Sequence, residues 1–247
     1  MNASIFFFRY RMPINAAVII MGFWAPWIQL FGIGSRTSLL EGLALELSRT
    51  GFASFSVATP VVIVLGAIVA AIGATLRIWG SAWLGHGVVL NAQMQAATLT
   101  ADGPYRHVRN PLYLGLWCVI AALALLMPPT GALVAMVLLT AFQLQLIRGE
   151  EAFLAASIGE PYRAYLRAVP RLFPRLRTNL APTGNKPRWL QAVLSEITPI
   201  GVFVTIAFLS WTYDRLLMAR AIMISFGLSL VVRALMPGLQ KTPSSPE

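Results

Sequence analysis

Charged residues are scarce in this sequence: Asp, Glu, Lys and Arg make up only 11% of its 247 residues. A soluble domain carries about 25% charged residues, so that class of protein is excluded. Acidic residues are the rarer sign, nine against nineteen basic ones, and the formal net charge is +10. The basic residues, nearly all arginine, lie between apolar runs, where charge orients a membrane protein. We therefore do not expect nucleic acid as a partner.

Cysteine and histidine are also nearly absent. The single cysteine, Cys118, lies inside an apolar run, which excludes a disulfide framework and a thiolate metal site. The two histidines, His86 and His107, are too few for a metal centre. We therefore expect no bound metal.

Long apolar runs are abundant, and 57% of the residues are hydrophobic. A membrane-spanning helix needs about 20 apolar residues, and the shortest spans have about 17. The predicted fold class is all-α: a polytopic membrane helical bundle of about six transmembrane helices with a cytoplasmic-face cofactor site. We expect a kink at Pro26 and a short interfacial helix over 39–47. The predicted spans are 14–33, 59–76, 111–127, 131–147, 198–213 and 216–236.

Six spans put both termini on one side of the membrane, together with segments 77–110 and 148–196. These parts of the chain hold most of the basic residues, so the positive-inside rule makes this side cytoplasmic. The arginine bias suggests a bacterial protein of the cytoplasmic membrane. We divide the chain into N-terminal membrane helices (1–76), a core with a helical hairpin (77–180), and a C-terminal helical pair with a disordered tail (181–247).

The predicted hairpin of the third and fourth spans carries polar clusters at both outer ends. A tight turn at 128–131 makes the spans antiparallel, so the two clusters meet at one membrane face. The clusters contain Arg106, Arg109 and Asn110 before the third span, and Arg148, Glu150 and Glu151 after the fourth. We predict that Asn110 caps the third helix, with Pro111 in its first turn. A helix N-terminus attracts anions, so a carboxylate or phosphate suits this position.

Glu150 and Glu151 are neighbours on a predicted helix, so they point about 100° apart and do not form an acid/base dyad. They can instead bind hydroxyl groups or an amino group, with Glu151 steadied by Arg148 three residues earlier. Together the clusters suit a zwitterionic ligand with sugar hydroxyls. Composition alone favours another interpretation, in which these charges only anchor the helices at the interface.

Four motifs follow one another in the second half of the chain: GPYRHVRNPLYLG at 103–115, RGEEAFL at 148–154, GEPYRAY at 159–165 and VPR at 169–171. In this order, and around a hydrophobic hairpin, they resemble the isoprenylcysteine carboxyl methyltransferase and phospholipid methyltransferase superfamily. The resemblance covers roughly 77–175. It implies methyl transfer from S-adenosylmethionine to a lipophilic acceptor that enters from the bilayer: an isoprenylcysteine-type carboxylate, a phospholipid amine or a small hydrophobic molecule.

The resemblance also assigns roles to residues. Arg109 orients an acidic acceptor or the cofactor carboxylate, and Glu151 or His107 takes a proton from an amine or thiol acceptor. The family usually has His where this chain has Asn110, which cannot titrate. The cofactor-binding set is Tyr105, Arg109, Asn110, Pro111, Tyr113, Glu150, Glu151, Tyr162 and Tyr165.

Two other functions stay open at this point. A membrane reductase of the sterol-reductase type uses a nicotinamide cofactor, but the Glu pair and the GPYxxxRxP pattern favour methyl transfer. A transporter or scaffold predicts ionisable residues inside the spans, and the third and fourth spans have none. The last two spans lie outside the resemblance, and we expect them to widen a lipid-facing pocket or to form a homodimer.

Overall fold

The computed structural model describes residues 3–84, 101–178, 180–181 and 184–235. All secondary structure in these ranges is helical, so the predicted all-α class is confirmed. A 3-10 turn, Gly103–Arg106, precedes the sixth helix, and π and 3-10 turns follow the tenth. The helices are α1 (Ala3–Arg9), α2 (Arg11–Trp24), α3 (Pro26–Phe31), α4 (Leu39–Arg49), α5 (Phe55–Leu84), α6 (Pro111–Ala124), α7 (Pro129–Ile158), α8 (Glu160–Ala168), α9 (Trp189–Ser195), α10 (Ile197–Val204) and α11 (Arg215–Leu235).

Three helical stretches of the described chain are long and apolar enough to cross a membrane: Arg11–Phe31, Phe55–Leu84 and Pro129–Ile158. A fourth is added if α9 and the stretch Ile197–Thr212, which meet at a bend of 67°, form one broken span. The 14 residues of α6 extend about 21 Å, less than the roughly 30 Å of the hydrocarbon core. The apolar part of α11, Leu216–Val232, is also short. The described chain thus has three to four candidate membrane helices, and six stays a prediction.

Two local predictions are confirmed in the N-terminal part. Ala25 adopts a left-handed conformation (φ 42°) between α2 and α3, so the helix breaks at the expected Pro26. The short helix expected over 39–47 is α4. Its start is fixed by a capping box, in which the Glu41 backbone N–H donates to Ser38 Oγ and the Ser38 N–H donates to the Glu41 carboxylate.

The predicted boundaries of the hairpin are partly wrong. Helix α6 ends at Ala124 and α7 begins at Pro129, so the turn is 125–128 rather than 128–131. Proline fits the first turn of a helix, which explains why Pro129 starts α7. Helix α7 then continues to Ile158, through the charged cluster. Its 30 residues extend about 45 Å, longer than the hydrocarbon core, so the polar end of α7 projects from the bilayer.

Glycines allow the helices that carry the site to approach closely. A Cβ added at Gly73 of α5 would lie 2.8 Å from the Gly115 carbonyl oxygen of α6. Helices α2 and α7 meet in the same way, because a Cβ at Gly22 would lie 2.9 Å from the Ala135 Cβ. These contacts pack α6 closely against α5, and α7 closely against α2.

Candidate active site

The two polar clusters at the base of the α6–α7 hairpin meet in the structure. Asn110 Nδ2 donates to Glu151 Oε1 at 3.2 Å, and the Tyr113 hydroxyl donates to Glu150 Oε2 at 3.1 Å. The predicted meeting of the clusters is therefore confirmed. Each carboxylate has a partner of its own, Asn110 just before α6 for Glu151 and Tyr113 on α6 for Glu150, which agrees with the two glutamate side chains pointing about 100° apart on one helix.

Two guanidinium groups hold Glu151, whose residue surface is only 6% exposed. Arg171 donates to its carboxylate from Nη2 at 2.6 Å and from Nε at 3.1 Å, and Arg109 Nη1 lies 3.3 Å from Oε1. The ion pair with Glu151 raises the pKa of Arg171. The predicted support from Arg148 is wrong, because Arg148 lies on the exposed side of α7. Arg171 reaches the site after the chain turns at Gly159 and follows α8.

The predicted capping role of Asn110 is also wrong. Asn110 does precede α6, but its side chain makes no hydrogen bond to the helix backbone. Nδ2 instead donates to Glu151 and to the Arg171 carbonyl oxygen, the latter at 3.2 Å. A buried carboxylate must be paired with donors to offset its desolvation, and this tertiary requirement replaces the local cap. Pro111 occupies the first, buried position of α6, where no N–H donor is needed.

The tyrosines of α8 fasten this helix to the site. Tyr162 and Tyr165 are both buried, with ring centroids 5.8 Å apart. The Tyr165 hydroxyl donates to the Tyr105 carbonyl oxygen at 2.8 Å. Burial raises the pKa of both hydroxyls well above the usual range for tyrosine, so both stay neutral at physiological pH. In this way α8 packs against the 3-10 turn at Gly103–Arg106.

His107 contacts a different part of the site from the carboxylates. Its Nδ1 lies 2.6 Å from the Arg175 carbonyl oxygen, and its ring lies beside Trp79 with centroids 6.4 Å apart. A carbonyl oxygen only accepts hydrogen bonds, so Nδ1 is the donor in this contact.

Three buried donors near the 3-10 turn lack a hydrogen-bond partner in the described part of the chain: the Tyr105 hydroxyl, Arg109 Nε and Trp83 Nε1. The Trp83 ring packs against Gly103, where a Cβ would overlap the indole. Leaving a buried donor unpaired costs about 1–3 kcal/mol. Such donors indicate a ligand with acceptor atoms, such as a carboxylate. Tyr105 and Arg109 were predicted as site residues from their motif. Trp83 lies in none of the motifs and was not predicted.

A buried ion pair beside the site was also missed. Glu196, fully buried at the break between α9 and α10, pairs with Arg77 of α5 at 2.5 and 2.9 Å. The Ser81 hydroxyl donates to Glu196 at 2.5 Å, and Arg77 Nη1 donates to the Leu112 carbonyl oxygen at 3.3 Å. The C-terminal segment is thus joined to the first turn of α6. The only signal for this ion pair in the sequence was Glu196 itself, a glutamate directly before an apolar run.

Residues 61–160 match the model of the phospholipid methyltransferase family. The matched segment contains α6, α7 and both glutamates of the site, and it confirms the resemblance that the motifs carry. The apolar helices and this match together support a membrane methyltransferase. No curated protein and no solved structure matches the chain significantly.

Proposed function

We propose that this protein, whose residues 61–160 match the model of the phospholipid methyltransferase family, transfers a methyl group from S-adenosylmethionine to a lipophilic acceptor at the cytoplasmic membrane face. The observation that carries the proposal is the joined base of the α6–α7 hairpin. There the Asn110–Glu151 hydrogen bond brings two carboxylates, two guanidinium groups and unpaired buried donors into one site.

The donors and acceptors of the site fit S-adenosylmethionine. Its carboxylate would pair with the unpartnered Tyr105 hydroxyl and Arg109 Nε, with Trp83 Nε1 as a third donor. Its ammonium and ribose hydroxyls need acceptors, which Glu150 and Glu151 provide. Among the described residues Glu150 accepts from the Tyr113 hydroxyl, whereas Glu151 accepts from Asn110 and two arginines, so Glu150 keeps more acceptor capacity. We therefore assign the direct cofactor contact to Glu150 and the organising role to Glu151.

This site would promote methyl transfer mainly by aligning the cofactor with the acceptor. S-adenosylmethionine, when bound, supplies a methyl group on a positively charged sulfur. Asn110, Tyr113 and Glu150 hold fixed positions at the end of a rigid hairpin, so they can orient the cofactor for in-line displacement by the acceptor. The buried tyrosines of α8 exclude water from the reacting centre, which favours neutralisation of the cation as the methyl leaves.

An amine or thiol acceptor must also lose a proton. Glu151 would have to give up its pairing with Arg109 and Arg171 before it could accept that proton. His107 donates to the Arg175 carbonyl oxygen through Nδ1, so Nε2 is the atom that would accept the proton. We therefore favour His107 as the proton acceptor and keep Arg109 for orienting the cofactor carboxylate.

The direct experiment is methyl transfer to lipids. The purified protein would be incubated with methyl-labelled S-adenosylmethionine and a polar lipid extract of the expression host, and label would be measured in the chloroform phase. At a cofactor concentration that half-saturates the parent protein, we expect label in the lipid fraction with the parent and much less label with Glu150→Gln. If the parent bound no cofactor and produced no labelled lipid, the proposal would be contradicted.

A further inference from the structure

A second polar position lies deeper in the hairpin. Gln143 of α7 is fully buried, and neither its Oε1 nor its Nε2 has a hydrogen-bond partner among the described residues. The same holds for Oδ1 of Asn15 on α2. Buried amide groups are nearly always paired with protein, water or a ligand, so an unpaired glutamine in a membrane-spanning helix needs an explanation.

Gln143 points to the same side of its helix as Glu150. Seven residues correspond to nearly two full turns, so Gln143 lies below Glu150 and about 10 Å deeper along α7. Gly131 of the same helix faces α2, and Thr140 faces α6, where it accepts a hydrogen bond from Trp117 Nε1 at 3.2 Å. At 100° per residue, position 143 falls between these two directions. Gln143 therefore projects into the space between α2 and α6.

Asn15 lies at a similar depth. Helix α2 runs antiparallel to α7, because Arg11 interacts electrostatically with Glu150 at one end while Gly22 packs against Ala135 at the other. Asn15 is one turn inward from Arg11 and thus falls near the level of Gln143. No charged residue occurs in α7 before Arg148, so the groups available at this depth are neutral amides.

We propose that Gln143 and Asn15 bind an uncharged hydrogen-bonding group of the methyl acceptor, roughly 10 Å below the carboxylate of Glu150. This inference rests on the proposed methyltransferase function and narrows its substrate class. The acceptor is a lipophilic molecule that carries a hydroxyl, ester or amide group along its apolar part, since a charged group at this depth would be strongly disfavoured. Gln143 is then a specificity-determining residue rather than a catalytic one.

The test uses two probes with the same eighteen-carbon chain, oleyl alcohol and 1-octadecene, of which only the first carries a hydroxyl. Thermal unfolding of the full-length protein in detergent would be followed against the concentration of each probe. We expect oleyl alcohol to raise the melting temperature of the parent, with 1-octadecene having little effect. In Gln143→Leu the apparent affinity for oleyl alcohol should fall at least about fivefold, the loss expected for one buried hydrogen bond.

Gln145→Leu is the matched control, because Gln145 lies two residues along the same helix but is exposed, and it should respond like the parent. Gln143→Met repeats the test with a side chain of similar length if the leucine variant is poorly folded. Equal protection of the parent and both Gln143 variants would overturn the proposal. Protection of none of them would also overturn it, and would leave trapped water as the partner of Gln143. Protection by S-adenosylmethionine, measured in parallel, reports on the proposed function separately.

Discussion

Asn110 Nδ2 lies 3.2 Å from Glu151 Oε1, across the open end of the α6–α7 hairpin. The chain connects the two helices at the other end. The neutral amide donates to a carboxylate that also binds Arg109 and Arg171. A titratable side chain at position 110 is therefore not required for this contact, and a hydrogen-bond donor is sufficient.

The first prediction concerns this contact. Asn110→His keeps a donor and should bind S-adenosylmethionine with an affinity close to that of the parent. Asn110→Leu removes the donor from a buried carboxylate, which costs about 1.5–3 kcal/mol of stability and leaves Glu151 misplaced, so this variant should bind S-adenosylmethionine more weakly than the parent. Asn110→Asp places a second carboxylate beside Glu151 and should bind most weakly. Calorimetry on the three variants decides, and unchanged affinity in Asn110→Leu would refute the assignment.

The second prediction concerns the ion pair of Arg77 with Glu196. Removing one partner of a buried pair leaves a charge without compensation, which typically costs 3–5 kcal/mol, so Glu196→Gln should lower the thermal stability markedly. Glu46→Gln is the control, because Glu46 and Arg49 form a pair whose side chains are 64% and 65% exposed, and such pairs contribute about 0–1 kcal/mol. Melting temperatures that fall equally in both variants would contradict the buried role of Glu196.

The third prediction concerns alkaline pH. Burial raises the pKa values of Tyr105, Tyr162 and Tyr165 in the folded protein above the value of about 10 in an unfolded chain. Above pH 10 the unfolded state releases protons that the folded state retains, so the stability contributed by these groups is complete below pH 10 and is lost as pH rises. The melting temperature should fall above pH 10, and tyrosinate absorbance of the folded protein should lag behind that of the unfolded chain. If tyrosinate formed over the same pH range in the folded protein and the unfolded chain, the prediction would be contradicted.

The fourth prediction concerns orientation in the membrane. In a Cys118→Ala background, Lys186→Cys should react with a membrane-impermeant thiol reagent only from the cytoplasmic side. Thr37→Cys should react only from the other side, because Thr37 is exposed in the loop that the Leu39 N–H joins to Met127, at the far end of the hairpin. Labelling of both positions from the same side would contradict the prediction that they lie on opposite faces of the membrane.

The sequence was sufficient where local chemistry decides the structure. The break at Pro26, the short helix α4 and the meeting of the two polar clusters were predicted from residue type, chain order and a short turn. The contact of Arg171 with Glu151 could not be predicted, because the helix is interrupted at Gly159 between them. Helical periodicity therefore does not relate the two positions. The same holds for Arg77 and Glu196, which lie 119 residues apart. Asn110 shows how a tertiary carboxylate overrides a local capping preference.

The most direct test of the account is S-adenosylmethionine affinity, measured by calorimetry on Glu150→Gln, Glu151→Gln, Arg109→Ala and the control Glu160→Gln. Glu160 is acidic and close in sequence, but it is exposed on α8, where it pairs with Arg167. Glu150→Gln and Arg109→Ala should each bind about ten- to more than a hundredfold more weakly, since hydrogen bonds to charged groups are worth about 1.5–3 kcal/mol. Glu151→Gln should also bind more weakly, because Arg109 and Asn110 lose the charge that positions them, and Glu160→Gln should bind like the parent. If all four variants bound like the parent, the base of the hairpin would not be a cofactor site.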